Sequence, residues 1–344
     1  MDIVFGYRPD AREAVDQKSI PQRVLYTGAR MPAVGLGTFN NDRFSMEEIA
    51  NAVYGAIHCG YRLIDCAAAY RNEPQIGQAL AQAMKEGISR RELFITSKLW
   101  NAHHAPAQVL PALKQTLQDL RLDYLDGYYI HWPFPNTHAP GASGDDRSPN
   151  SRPYIHADYM ATYQELEKAV DLGLVRQIGT SNMTIVKLRQ VLRDARIRPA
   201  MNQMEMHPCF SQPEFFRYLL AENIVPVAFS PIGSPTRPDR DTAAGDVAVT
   251  QHPVLVDIAR QHNLHPAVVC VKWAVQRGQV PIPFSIYPNE YRSNLKAVTE
   301  DPLSEAEMLR LQQADCNCRL IKGQVFLWEG AETWKALWDE ELEW

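Results

Sequence analysis

No uninterrupted apolar stretch of the chain reaches the roughly 18 residues that a membrane-spanning helix needs. The opening residues MDIVFGYRPDAREAVDQKSIPQ place no apolar run behind a basic head. The expectation is a cytoplasmic protein without a membrane partner. Basic blocks are also missing: 35 Lys and Arg stand against 40 Asp and Glu, a net charge of −5, which argues against a nucleic-acid partner. Cysteine is sparse. The six cysteines lie at positions 59, 66, 209, 270, 316 and 318, and the close pair Cys316 and Cys318 has no second pair to complete a zinc site. Free buried thiols and no bound metal are expected.

What is present suits one large α/β domain, because 344 residues at 45% apolar content can fill a single big core. Short apolar runs suited to buried parallel strands recur at Val34–Gly37, Arg62–Cys66, Leu93–Leu99, Gly127–His131, Arg176–Thr180, Ala200–Met204, Val225–Ser230 and Val280–Pro283. Helical periods lie between them, at Met46–His58, Pro106–Leu120, Tyr159–Leu172, Pro213–Ala221 and Pro253–Gln261, several after Ser, Asp, Asn or Pro start signals. Eight strands alternating with helices predict a (β/α)₈ barrel spanning 1–344, with an N-terminal extension to about residue 22. The eighth strand is the weakest, since Pro281 and Pro283 each remove a ladder donor. Around Gly28, RVLYTGARMPAVG reads as a small hairpin closing the barrel bottom.

Two segments break the rhythm. Residues 133–157, PFPNTHAPGASGDDRSPNSRPYIHA, are rich in turn formers and too long for an ordinary connection, so they predict a functional loop after the fourth strand. The tail from about 317 to 344 carries Phe326, Trp328, Trp334, Trp338 and Trp344 with little Leu, Ile or Val. Such a tail either packs on the barrel as an amphipathic helix or walls a site with aromatic rings.

In a barrel of this kind reactive groups gather where strands end. Asp65 closes RLID, Lys98 closes LFITSK, His131 closes GYYIH, Ser181 and Asn182 follow RQIGT, and Gln203 interrupts AMNQM; Tyr70 lies five residues past Asp65. One strand-end polar residue is ordinarily a structural hydrogen-bonding group. An acid, a phenol, an amine and an imidazole at one mouth form a proton donor with a tuning shell.

These residues sit in blocks that resemble the aldo-keto reductase family, from about Val24 to Pro302. YRLIDCAAAYRNE looks like the family signature, and with FITSKLWN and YYIHWP it puts Asp65, Tyr70, Lys98 and His131 on the catalytic positions. The resemblance implies hydride transfer between NAD(P)H and an aldehyde or ketone, with Tyr70 as general acid, Lys98 lowering the phenol's pKa, Asp65 keeping Lys98 charged and His131 orienting the carbonyl. IGTSNM and PAMNQMEMHP carry Ser181, Asn182 and Gln203 to positions that hold the nicotinamide carboxamide. AFSPIGS carries Phe229 to the ring-stacking position and adds Ser230, Ile232 and Ser234 as cofactor contacts. Phe39, Trp100 and Trp132 fall on substrate positions, and an aromatic mouth beside a polar loop suits a sugar or other hydroxylated carbonyl.

The segment IPFSIYPNEYRSN departs from the family pattern. Phe284 stands where a lysine is common and Glu290 where an arginine is common, while Ser285 and Asn294 still match. The missing cations would have gripped the 2′-phosphate of NADP, so NAD(H) is the favoured expectation, with NADP(H) left open because Arg292 lies two residues on. Two other readings stand beside the reductase: a non-catalytic cofactor-binding redox-sensing module, and a barrel isomerase or metal-dependent hydrolase. The substrate, the direction of reaction and the choice between monomer and homodimer are not set by these residues.

Overall fold

The computed structural model describes residues 3–6, 14–39, 42–135, 147–235, 237 and 241–340. A two-stranded antiparallel hairpin comes first, β1 (Gln22–Val24) and β2 (Arg30–Pro32), in the register Gln22 to Pro32. Eight strands follow: β3 (Leu36–Gly37), β4 (Leu63–Asp65), β5 (Phe94–Leu99), β6 (Leu125–Ile130), β7 (Val175–Ser181), β8 (Met201–Glu205), β9 (Val225–Phe229) and β10 (Val280–Pro281). They are all parallel and pair in sequence order. The ends of the sheet meet, since Gly35 N–H donates to Pro281 O and Gly37 N–H to Pro283 O, both at 3.0 Å. The fold is the expected (β/α)₈ barrel.

The prolines of the last strand are tolerated for a local reason. Ile282 N–H donates to Ala228 O on the β9 side at 3.0 Å, while the donors that Pro281 and Pro283 lack belong to the β3 side. There their carbonyls still accept from Gly35 and Gly37. The regular strand shrinks to two residues, but the ladder closes.

Ten α-helices are present among the described residues: α1 (Met46–Cys59), α2 (Glu73–Lys85), α3 (Pro106–Leu120), α4 (His156–Asp171), α5 (Ile185–Asp194), α6 (Pro213–Ala221), α7 (Pro253–Gln261), α8 (Pro266–Arg277), α9 (Pro288–Lys296) and α10 (Glu305–Gln312). Start signals act as the sequence suggests: Ser45 and Glu48 form a reciprocal cap on α1, and Pro stands in the first turn of α3, α6 and α7. One boundary moves. Helix α4 starts at His156, so the connection after the fourth barrel strand is shorter than 133–157; its residues 136–146 lie outside the described part. No described helix is long and apolar enough to cross a membrane.

The barrel interior is a packed plug. Leu25 and Met31 of the hairpin segment enter it beside Leu63, Phe94, Met201 and Val225, as expected for a hairpin closing the bottom. Tyr129 fills the centre, and the space it occupies explains Gly179, where a Cβ would lie 2.2 Å from the Tyr129 ring. Filling the bottom and middle leaves the C-terminal strand ends to form a recess. All six cysteines are free, but they are not all buried: Cys316 is exposed and Cys318 half-buried, because both follow α10 into the exposed start of the tail.

Candidate active site

Asp65 is the last residue of β4, and register pairs it with Thr96 on β5, one turn of the pleat before Lys98. Lys98 and Asp65 therefore converge. Lys98 Nζ donates to Asp65 Oδ2 at 2.5 Å, to Cys66 O at 2.9 Å and to Tyr70 Oη at 3.3 Å, so three acceptors match its three N–H donors. The other carboxylate oxygen is held as firmly: Thr96 Oγ1 donates to Asp65 Oδ1 at 2.7 Å and Gln203 Nε2 at 2.9 Å. Tyr70 arrives on the single 3₁₀ turn Ala68–Tyr70 directly beyond β4.

Electrostatics follow from this packing. Burial alone would lower the Lys98 pKa, but the adjacent Asp65 carboxylate and the Tyr70 phenol outweigh it and the ammonium is held well above its ordinary value. For Tyr70 burial wins: it pushes the phenol up despite the opposing pull of Lys98. Lys98 acts in the expected direction, lowering the phenol's pKa, but against this burial it only limits the rise. Burial, with help from Lys98 and His104, pushes His131 well below the usual imidazole range, so the ring is neutral at pH 7. His131 Nδ1 is buried and without a hydrogen-bond partner among the described residues. Its ring meets Tyr70 edge-on, with centroids 5.8 Å apart.

A cavity of about 700 Å³ opens over these groups at the C-terminal strand ends. The expected catalytic, cofactor and substrate residues line it apart from Lys98 and Asn294, and Arg292 does not line it either. Lys98 stands behind Tyr70 and Asp65 with no exposed surface. Asn294 is buried on α9. Ser181 ends β7, and Asn182 directly after it adopts a left-handed φ of 56° that turns the backbone out of the strand. Its Nδ2 donates to His131 O at 2.9 Å, while its Oδ1 is buried with no partner among the described residues. A carboxamide would satisfy such an oxygen, and the half-buried ring of Phe229 stands on the same wall. The donor set fits a nicotinamide.

At the far end of the cavity Ser285 Oγ donates to Glu290 Oε2 at 2.7 Å. Phe284 lines the cavity beside Phe44, whose ring centroid lies 6.0 Å from that of Phe284 and 6.3 Å from that of Tyr287. Phe44, Arg71 and Arg237 line the cavity too and were not singled out from sequence. They sit on irregular chain, where no period or motif marks them.

The tail does wall the mouth. Phe326 rests 4.5 Å from Trp132 and 6.0 Å from Trp100, and Trp338 packs 5.8 Å from Trp132 (centroid distances). Trp344 lies outside the described residues. The tail is fastened at its root by Glu205, a buried carboxylate accepting from Leu320 N–H and Ile321 N–H at 2.8 Å each and from His207 Nε2 at 2.9 Å. It is fastened near its end by Lys187, which pairs with Asp339 at 2.5 Å. Phe39, expected beside the substrate, contacts the Tyr70 ring at 5.0 Å.

Residues 33–315 match the model of the aldo/keto reductase family. The chain belongs to the aldo-keto reductase family. This aldo-keto reductase is an NAD(P)H-dependent carbonyl oxidoreductase, and its relatives are similar across nearly their whole length. It is 43% identical to an aldo/keto reductase of Synechocystis sp., over 92% of this chain and 95% of that one. It is 38% identical to human aldo-keto reductase family 1 member A1, over 87% of this chain and 90% of the relative. The crystal structure of Bombyx mori aldo-keto reductase in complex with NADP superposes with a TM-score of 0.78 at 34% identity, covering 90% of this chain and 96% of that one. Membership in this family disfavours the redox-sensing module and the isomerase or hydrolase.

Proposed function

We propose that Tyr70 is the proton donor for carbonyl reduction, with Lys98 and Asp65 behind it and His131 across the substrate oxygen. The observation that carries this reading is the three-way contact of Lys98 with Asp65, Cys66 O and Tyr70. It fixes the phenol oxygen at the cavity wall with a cation behind it. When bound, the nicotinamide cofactor supplies the hydride. Ser181 and Asn182 hold its carboxamide, Phe229 stacks on its ring, and Gln203 serves mainly by fixing Asp65. A carbonyl oxygen placed between Tyr70 and neutral His131 accepts hydrogen bonds from both as negative charge develops, and Tyr70 then passes its proton to that oxygen. Lys98, protonated throughout, stabilises the phenolate left behind.

The substrate we propose is a sugar or other hydroxylated aldehyde. Trp100, Trp132 and Phe326 give it flat apolar faces, while Arg71 and Asp42 supply polar partners on the same cavity. For the cofactor, the NADP-bound silk-moth relative supports NADP(H), against the preference for NAD(H) expected from the sequence. Phe284 and Glu290 nevertheless leave the 2′-position without a cation pair, and Arg292 does not line the cavity. We therefore propose use of NADP(H) with weak discrimination against NAD(H). Steady-state assays with a panel of aldehydes and aldoses and both reduced cofactors test this. No turnover of any simple aldehyde would reject the catalytic assignment, and a kcat/KM ratio beyond about 100 for either cofactor, roughly 2.7 kcal/mol, would reject weak discrimination.

A further inference from the structure

We propose that the N-terminal face of the barrel is a second binding site, for a small polyanion carrying two or more phosphate or carboxylate groups. A cavity of about 400 Å³ lies there, at the opposite end of the strands from Tyr70. Five cations reach it from five stretches of chain: Lys18 on the 3₁₀ turn Gln17–Ser19, Arg30 on β2, Arg62 just before β4, Arg91 on the 3₁₀ turn Arg90–Glu92, and Arg176 on β7. No run of sequence announces them, and they converge in a chain whose net charge is −5.

The two carboxylates in the same recess are already engaged. Asp126 Oδ2 accepts from Arg90 at 2.7 Å and from Ile95 N–H at 2.9 Å. Glu92 accepts from Ser89 N–H and Gln17 Nε2, each at 3.1 Å, and lies 3.7 Å from Arg62 Nε. Lys18, Arg30, Arg91 and Arg176 have no carboxylate within ion-pair distance among the described residues. Arg176 is held in place by the Tyr124 ring, 4.1 Å below its guanidinium, with Arg90 at 4.0 Å from the same ring. A cation constrained this way cannot swing freely away from its neighbours.

Five cations against two carboxylates, of which Asp126 already feels Arg176 and Glu92 lies near Arg62, leave the recess with an excess of positive charge that a further anion would offset. Guanidinium groups suit that anion, because their planar forks pair two-to-two with phosphate and carboxylate oxygens. The floor is apolar, made by Leu93, Phe94 and Pro32, so a short carbon skeleton can rest on it while its charged ends meet the rim. The site is separate from the carbonyl-reducing cavity: Arg62 precedes β4 and Asp65 ends it.

Isothermal calorimetry on the full chain tests the proposal. The protein is first saturated with NADPH so that the C-terminal cavity is filled, then titrated at constant ionic strength with inorganic pyrophosphate in one arm and citrate in the other. One bound equivalent is expected in at least one arm, and the arm that binds more tightly separates phosphate from carboxylate chemistry. The variant Arg30→Gln/Arg91→Gln/Arg176→Gln should lose at least ten-fold in affinity with kcat unchanged. Absence of binding in both arms, or equal binding by the triple variant, overturns the site. Should that variant fail to fold, Arg30→Gln and Arg91→Gln singly must each weaken binding at least three-fold, and unaltered affinities overturn it equally.

Discussion

Lys98 Nζ and Asp65 Oδ2 lie 2.5 Å apart, and the two side chains are all but closed to solvent, at 0% and 3% exposure. A pair so placed is coupled to the fold and to Tyr70 at once. Removing one member leaves an uncompensated buried charge, which costs about 3–5 kcal/mol. Lys98→Met should therefore destabilise by that order, and Asp65→Asn combined with Lys98→Met should regain most of the stability while activity stays lost. Denaturant unfolding alongside turnover checks this; a double variant as unstable as the single one contradicts the pairing argument.

Tyr70→Phe removes the proton donor and little else. Its kcat should fall by about 10²–10⁴, with cofactor affinity, read by fluorescence titration, changing less than two-fold. Because burial holds the phenol above its ordinary pKa, reduction by the native protein should persist through neutral pH and decline only in the alkaline range. A decline centred near pH 7 would point to another acid.

Glu73 is a second buried titrating group, in contact with Ser97 Oγ at 2.5 Å and Thr116 Oγ1 at 3.0 Å. Burial raises its pKa to about 7 from 4.5. The folded state then holds a proton that the unfolded state releases, so Glu73's own contribution to stability is fully present below about pH 4.5 and is lost as pH rises to about 7. The loss amounts to about 3 kcal/mol. Glu73→Gln cannot ionise, so its melting temperature relative to the native protein should climb between pH 5 and pH 8. A constant difference across that range would refute the assignment.

Glu290 faces the end of the cavity with Ser285. Glu290→Arg replaces a carboxylate with the cation that the family pattern has there. It should lower the KM for NADPH about ten-fold, near 1.4 kcal/mol, and leave the KM for NADH within two-fold. Equal changes for both cofactors would place Glu290 away from the 2′-position.

Glu205 ties the root of the tail to β8 through Leu320 and Ile321. Glu205→Gln loses one charge-assisted acceptor and loosens Phe326 over Trp132. The KM for aldehydes should rise several-fold with kcat less affected, because the tail lines the cavity through Phe326 and packs on Trp132 and Trp100. An unchanged KM would separate the tail from substrate binding.

Much of this was legible in the residues. Strand positions and the strand-end placement of Asp65, Lys98 and His131 follow from short β-rich runs of period and polarity, which are local properties of the chain. So did the break in the cation pair at Phe284 and Glu290, since each is a residue identity at a counted position. The start of α4 was missed because His156 to Asp158 carry no apolar period, and tertiary packing of Tyr159 and Tyr163 extends the helix back over them. Asn294 matches the pattern by its position, while its burial on α9 is set by packing that no motif records.

By itself the sequence determined that Tyr70 and its partners exist and are spaced to meet at one mouth. Only the tertiary structure decided how they act on one another. The direction of the Tyr70 shift depends on how deeply the phenol is buried against how near Lys98 comes, and both are distances across strands rather than along the chain. The cations at the opposite face are likewise far apart in sequence, and closure of the barrel alone brings them round one recess.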